Sequence, residues 1–355
     1  MDAEEHILVI RLSAMGDVAM TVPVLRAFRQ QYPKVKLTVV SHPFFEPLFQ
    51  TIPGINFYGV DLKDRHKGAK GMVKLYADLR KLKIDAVADL HNVIRSKFIR
   101  TIFNISGKRV EHTDKGREEK KALTRPENKE FKQLKSMFQR HADTFEKLGY
   151  PIDISKVDFP KKNPLTEAIL ELTNGEKTTN WIGIAPYAQY ETKIYPKDLM
   201  EQVIAGIAND ADNTIFLFGA RSEKDKLEEL QQSFSNVKIV AGSINFKEEV
   251  TLMSYLDVLL SMDSGNAHIA AMMGTKVVTL WGATHPYAGF TPFQQPLEHA
   301  LISDRKKYPQ LPTSVYGNKE VPGYENAMRT IDPHDVVSKI KKILDAQKIP
   351  NYTSS

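Results

Sequence analysis

Four short stretches place reactive or ligand-binding residue types just beyond strand-like runs. Ser13-Ala14-Met15-Gly16-Asp17 follows the run HILVIRL and precedes a helical pattern. Ligands of open α/β sheets bind beyond the carboxyl ends of strands, and small residues such as Ser13 and Gly16 leave the backbone open to a second molecule. Asp17 stands near a helix start, where an acid also serves as a cap or dipole partner. Met262-Asp263-Ser264-Gly265-Asn266-Ala267-His268 follows DVLLSM and opens another helix. Backbone N–H groups at Ser264, Gly265 and Asn266 suit a diphosphate at a helix N-terminus. The alternatives are a cap at Asp263 and a core histidine at His268. Trp281-Gly282-Ala283-Thr284 forms a second small-residue turn at the same sheet edge.

Lys193 ends the stretch after NWIGIAP and can reach a phosphate as a point charge, or be a solvated loop lysine. Glu223, after NTIFLFG, can accept from ribose hydroxyls or cap the helix that follows. Two patterns are decoys. Asp210-Ala211-Asp212 matches a bare DxD, yet it precedes its strand, at the wrong edge of a sheet, and is expected to be a surface turn. The ten histidines show no metal-binding spacing, so no metal site is expected, and His285 is expected to be loop structure. GxGxxG and GxxxxGK[ST] are absent, against dinucleotide and ATPase readings.

Strand-length apolar runs alternate with amphipathic helical stretches, which argues for βαβ units and parallel sheets. The first series is 6–12, 36–41, 55–60 and 85–90; the second is 180–186, 213–219, 236–242, 257–262 and 276–282. The alternation lapses between about 150 and 178, read as a linker. Residues 283–325 read as a long functional loop, and 332–349 as a capped amphipathic helix before a frayed NYTSS tail.

A chain of 355 residues predicts two domains. With no cysteine, disulfides, thiolate metal sites and a cysteine nucleophile are excluded. There is no apolar run long enough for a transmembrane segment. The acidic start MDAEEH carries no signal-peptide pattern, so a cytoplasmic protein is expected. Residues 61–140 hold 22 Lys/Arg against 11 Asp/Glu, net +11, while the rest of the chain carries −5. Such a block suits an anionic partner or is a solvated face. Arg65, Lys67, Lys70, Lys115, Arg117, Lys120 and Lys121 are expected to face outward.

ILVIRLSAMGDVAMTVPVLRAFRQQYP resembles the start of the ADP-heptose:lipopolysaccharide heptosyltransferase family, glycosyltransferase family 9, which opens with a strand, R-x-S-x-(L/M)-G-D and a helix with T-x-P. MDSGNAHIAAMMGTKVVTLWGAT is similar to that family's second signature, and MRTIDPHDVVSKIKKIL to its closing helix. The resemblance implies a GT-B fold, two Rossmann-like domains with parallel sheets facing across a cleft. The expected boundaries are 1–160 for an acceptor domain, 161–179 for a linker, 180–331 for a nucleotide-sugar domain, and 332–350 for a helix packing back on the first domain.

It further implies an inverting, metal-independent glycosyltransferase. Asp17 is then the general base at the turn containing Ser13 and Gly16. Lys193, Ser264 and Gly265 balance charge on the leaving diphosphate; Asp263 and His268 belong to the donor site, and Glu223 to the ribose. The implied substrates are a nucleotide sugar, ADP-heptose, and an anionic lipopolysaccharide-core-like glycolipid at the inner membrane face, with no further cofactor. The chain departs from the family at Ala327, where a cysteine is common, at Tyr195-Pro196, where Trp-Pro is common, and at Leu199 or Met200, in place of a second tryptophan. Another nucleotide sugar, or a non-catalytic nucleotide-sugar binder, is therefore the alternative. A nucleic-acid partner is not expected, because no motif for one is present.

Overall fold

The computed structural model describes residues 5–232 and 234–348; most of the acidic start, the last two residues of the expected 332–350 helix and the NYTSS tail lie outside the described residues. The chain forms two compact units. One comprises the residues up to Arg117 plus Lys135–Pro160, the other Glu118–Leu134 plus the residues from Lys161 on.

The first unit is built on five strands, β1 (His6–Ile10), β2 (Lys36–Ser41), β3 (Ile55–Gly59), β4 (Ala86–Asp89) and β5 (Arg109–His112). All pair in parallel, in the order β3-β2-β1-β4-β5. β1 is buried at each residue, as expected of a strand covered on both faces, and so reads as an unbroken apolar run. From β1 the chain runs outward to β2 and β3, then returns to the other flank of β1 with β4. The ends of β1 and β4 therefore border a topological switch point, where such sheets open a crevice.

The second unit repeats the design with β6 (Asn180–Ala185), β7 (Asn213–Leu217), β8 (Val237–Ile239), β9 (Val258–Met262), β10 (Lys276–Trp281) and β11 (Ala300–Ile302), in the order β11-β10-β9-β6-β7-β8. All its strand pairs are parallel. Here the order reverses between β6 and β9.

The observed boundaries differ from the expected ones in three places. Residues 118–134 belong to the second unit, where Lys120 lies over the Phe290 ring at 4.2 Å and Lys129 donates to the Pro312 carbonyl. The stretch expected as a linker contains a helix, Glu167–Thr173, capped by the Thr166 hydroxyl and anchored by buried Ile169. The final helix, Pro333–Lys348, falls within the second unit. Val336, Ile340, Ile343 and Leu344 enter the second unit's core with Val203, Ile204 and Ile207 of the helix Lys197–Ala208. The expected long loop is also interrupted by β11 and short helical turns.

Candidate functional site

In the first unit the helix Met15–Gln31 begins sooner than the small-residue turn suggested, so Gly16 and Asp17 occupy its first turn and Ser13 stays exposed in the loop. The cap position is Ala14, without a side-chain cap bond. The Asp17 carboxylate pairs instead with Arg11, at 2.5 Å from Nη2. Arg11 is buried directly after β1, and its Nη1 donates to the Leu90 carbonyl at 2.8 Å. One guanidinium thus ties the ends of β1 and β4 and holds the acid between them.

The β4 end is shaped by Asp89. It accepts from the His91 and Asn92 backbone N–H groups and from Arg100 at 3.0 Å. That turn brings His91 back toward β1, where its Nδ1 accepts from the Leu12 N–H. Burial, then the charges of Arg11 and Lys115, push His91 down to about 3, so it is neutral near pH 7. Lys115 is also lowered, by burial first and Arg11 next, with Asp17 pulling the other way. A cavity of about 620 Å³ opens beside these groups, with Leu12, Ser13, His91, Asn92 and Arg117 in its wall. An acid held by one buried cation, next to a neutral imidazole and a half-buried lysine, can accept a proton while anionic groups are drawn in.

In the second unit the switch point brings together residues from separate sequence stretches. Lys193 and Asp263 form a nearly buried ion pair, Nζ to Oδ2 3.1 Å. Asp263 follows β9, and Ser264 is the cap residue of the helix Gly265–Met272. The Ser264 hydroxyl does not cap the helix; it pairs with Ser261 Oγ at 3.0 Å. The first N–H groups of the helix thus lie beside the Lys193 cation, a setting suited to a diphosphate. His268 lies one turn further along, buried.

The Lys193 turn is held by the 281–284 turn and by residues of the long 283–325 stretch. The Ala283 N–H donates to the Thr192 carbonyl, and a Cβ on Gly282 would lie 2.3 Å from that oxygen. Thr192 donates to the Gly317 carbonyl, while Gly317, at φ +85°, packs against the Lys193 side chain. Thr313 and Ser314 donate to the Ala283 carbonyl. A cavity of about 800 Å³ lies alongside, with Tyr187, Thr192, Tyr195, Ala283 and Met328 in its wall but none of Lys193, Asp263 or Ser264.

Other expectations resolve locally. Glu223 Oε2 accepts from the Ala220 N–H at 2.7 Å, so one of its oxygens caps the turn before the helix Lys224–Gln231. Asp210 accepts from the Asp212 N–H in a turn before β7. His285 is loop structure: its Nδ1 accepts from the Tyr287 N–H, and burial pushes it down to about 4. The outward-facing reading of the basic block needs correction. Lys120 is buried against Phe290 and Lys115 is half-buried near Asp17, whereas Lys67, Lys70, Arg117, Lys121 and Arg65, the last paired with Asp78, are exposed as expected. His91 was not singled out, and Arg11 entered only as the first residue of the R-x-S-x-(L/M)-G-D motif, without a role of its own. A cation directly after a buried strand, six residues before the acid, is the signal that could have pointed to Arg11.

Comparison with known proteins fits this geometry. The sequence pattern of glycosyltransferase family 9 (heptosyltransferase) matches residues 72–320. The lipopolysaccharide core heptosyltransferase OpsX of Haemophilus influenzae is 24% identical over 298 residues, covering 80% of this chain and 81% of that protein. The crystal structure of a family 9 glycosyl transferase from Veillonella parvula superposes with a TM-score of 0.75 at 17% identity, covering 98% of this chain and 99% of the other. The E. coli heptosyltransferase WaaC with ADP gives 0.65 at 17% identity, covering 95% and 99%. The chain belongs to glycosyltransferase family 9; it is a glycosyltransferase, and its two parallel-sheet units have the fold of the GT-B heptosyltransferases.

Proposed function

We propose that this family 9 member is an inverting, metal-independent heptosyltransferase that moves heptose from ADP-heptose to a hydroxyl of an anionic, lipopolysaccharide-core-like glycolipid. The observation that carries the proposal is the Lys193–Asp263 pair beside a helix N-terminus at the second sheet's switch point. Relatives named as lipopolysaccharide heptosyltransferases, and one solved with ADP, support the substrate assignment.

Asp17 Oδ takes the proton from the acceptor hydroxyl as that oxygen bonds to the anomeric carbon. The bond between this carbon and the phosphate oxygen breaks on the opposite face, and its electron pair leaves with ADP. Lys193 and the N–H groups around Ser264 and Gly265 stabilise the charge that develops there. Asp263 holds Lys193 in place and is free to turn to sugar hydroxyls once phosphate takes the cation. His268, buried on the helix that follows the donor loop, belongs to the donor site, and Glu223 serves the ribose with one oxygen committed to its turn. Arg11 fixes the Asp17 carboxylate. Lys115 and Arg117 receive the acceptor's anionic groups beside Ser13.

Tyr195, the departure from the family's Trp-Pro, is buried and donates from its hydroxyl to the Ile331 carbonyl at 2.6 Å. Its hydroxyl is thus committed to the backbone, while its ring borders the cavity beside the Lys193 turn. Among the described residues no helix is long and apolar enough to cross a membrane; the proposed workplace is the inner membrane face, reached peripherally from the cytoplasm.

The test is transfer, read by mass spectrometry, with ADP-heptose and a panel of other nucleotide sugars on a heptose-accepting core glycolipid. Transfer from ADP-heptose, within about twofold with EDTA present, is expected because protein donors carry the leaving charge. Preference for another nucleotide sugar would replace the donor assignment; binding without transfer from any donor would make the chain a non-catalytic binder.

A further inference from the structure

The helix Ile94–Ile105 of the first unit has two apolar faces. Ile99 and Phe103 point inward and belong to the core. On the opposite side Ile94 is 87% exposed, Phe98 37% and Ile105 79%. Positions 94, 98, 101 and 105 recur at i, i+4, i+7 and i+11, which places them on one stripe about 16 Å long. The inner face explains why the helix folds; nothing in folding requires the outer one.

Charge gives the stripe a direction. The helix sequence IRSKFIRTIFNI contains no acid. Arg95 and Lys97 flank the stripe, both are exposed, and among the described residues neither has an acidic partner. The adjacent helix Gly68–Arg80 adds exposed Val73 with Lys70 and Lys74. Ile94, Arg95 and Lys97 also line the cavity that contains Ser13 and His91. The ridge therefore leads directly to the mouth of the proposed acceptor pocket.

We infer that the outer face of the helix Ile94–Ile105 is a docking surface for an anionic lipid bilayer, with Ile94, Phe98 and Ile105 inserted at the headgroup level and Arg95 and Lys97 paired with lipid phosphates. Exposed apolar side chains flanked by cations, on a helix without an acid, match the interfacial pattern of membrane-surface helices. A protein partner with an apolar groove would bury the stripe but leave two flanking cations to be matched as well. The inference deepens the acceptor reading, since a lipid-linked acceptor would be met at that surface, but its primary test uses no transfer.

The full-length protein is sedimented with phosphatidylcholine vesicles, with or without phosphatidylglycerol. Binding to the anionic vesicles, weakened by salt, is expected. R95Q/K97Q should lower partitioning about fivefold per charge and flatten the salt dependence. F98S/I105S should lower it by roughly tenfold per side chain. The latter pair lies outside the pocket, so its turnover of a water-soluble, acyl-free acceptor should match the wild type while turnover of vesicle-embedded acceptor falls. Circular dichroism checks that each variant folds. Equal binding to neutral and anionic vesicles, or variants that bind like the wild type, would overturn the assignment. So would a wild-type dimer that F98S/I105S dissociates without loss of vesicle binding, which would make the face a contact between copies. Vesicle binding without any glycosyl transfer would leave this inference standing and remove the functional one.

Discussion

Replacing Arg11 by Gln tests whether a buried cation sets the competence of Asp17. Arg11 makes two contacts that Gln cannot reproduce together, 2.5 Å to Asp17 and 2.8 Å to the Leu90 carbonyl. Hydrogen bonds to charged groups contribute about 1.5–3 kcal/mol each, and water replaces part of the loss at the more exposed Asp17, so R11Q should cost about 2–4 kcal/mol of stability. For a unit of this size that lowers Tm by roughly 5–15 °C. The catalytic effect comes from orientation: a carboxylate freed to shift by about 1 Å loses roughly 10²-fold in kcat. Donor KM should stay within about twofold, because the proposed donor residues belong to the other unit. Arg11→Lys keeps the charge but only one of the two contacts, and should fall between. The assay is steady-state transfer below the variant's melting temperature, run as a double-mutant cycle with Asp17→Asn. If Arg11 acts through Asp17, R11Q should change kcat by less than about threefold in the D17N background. A full hundredfold loss in that background would refute the positioning role and make Arg11 a structural residue.

Gly317→Ala should raise donor KM about five- to tenfold with a smaller change in kcat. A Cβ there would lie 2.4 Å from Lys193 Cδ on a backbone at φ +85°, where a side chain costs about 1–2 kcal/mol; an unchanged KM would separate the 313–317 segment from the donor site. Ile340→Ala should cost about 2–5 kcal/mol in urea unfolding, because the side chain is fully buried; a loss below ~1 kcal/mol would contradict the final helix's place in the core. Stability should fall on acidification below about pH 6.5. His91 and His285 are held near 3 and 4, so the unfolded chain binds more protons than the folded one between those values and 6.5. Stability then rises with pH through that window, each histidine contributing up to about 2 kcal/mol between pH 5 and pH 7. Combined H91Q/H285Q variants should flatten that slope, and an unchanged slope would show that other groups govern it.

The parts of this fold that are legible in the sequence are those dictated by burial. β1, β2, β4, β9 and β10 are covered on both faces and appear as apolar runs at nearly their observed bounds. β5, RVEH, is an edge strand with no hydrophobic excess, and β11 contributes three residues inside a Pro- and Gly-rich stretch; neither has a periodicity to detect. Candidate site residues that follow a strand directly were accessible for the same reason. The pairing of Lys193 with Asp263 was not, because it depends on the reversal of strand order between β6 and β9. The basic block shows the opposite failure. Composition treats its lysines alike, whereas the structure buries Lys120 on an aromatic ring, half-buries Lys115 beside an acid and leaves Lys121 in solvent.

The central claim is that Asp17 removes the acceptor proton. Its most direct test is the single-turnover rate of Asp17→Asn, a change that keeps the shape of the side chain and removes its basicity, measured beside ADP-heptose affinity by calorimetry. The account predicts a loss of about 10²–10⁴ in rate, with affinity within about twofold of the wild type. A variant that folds, binds donor normally and retains more than about a tenth of the wild-type rate would contradict it, because proton removal by this carboxylate would then supply less than one factor of ten.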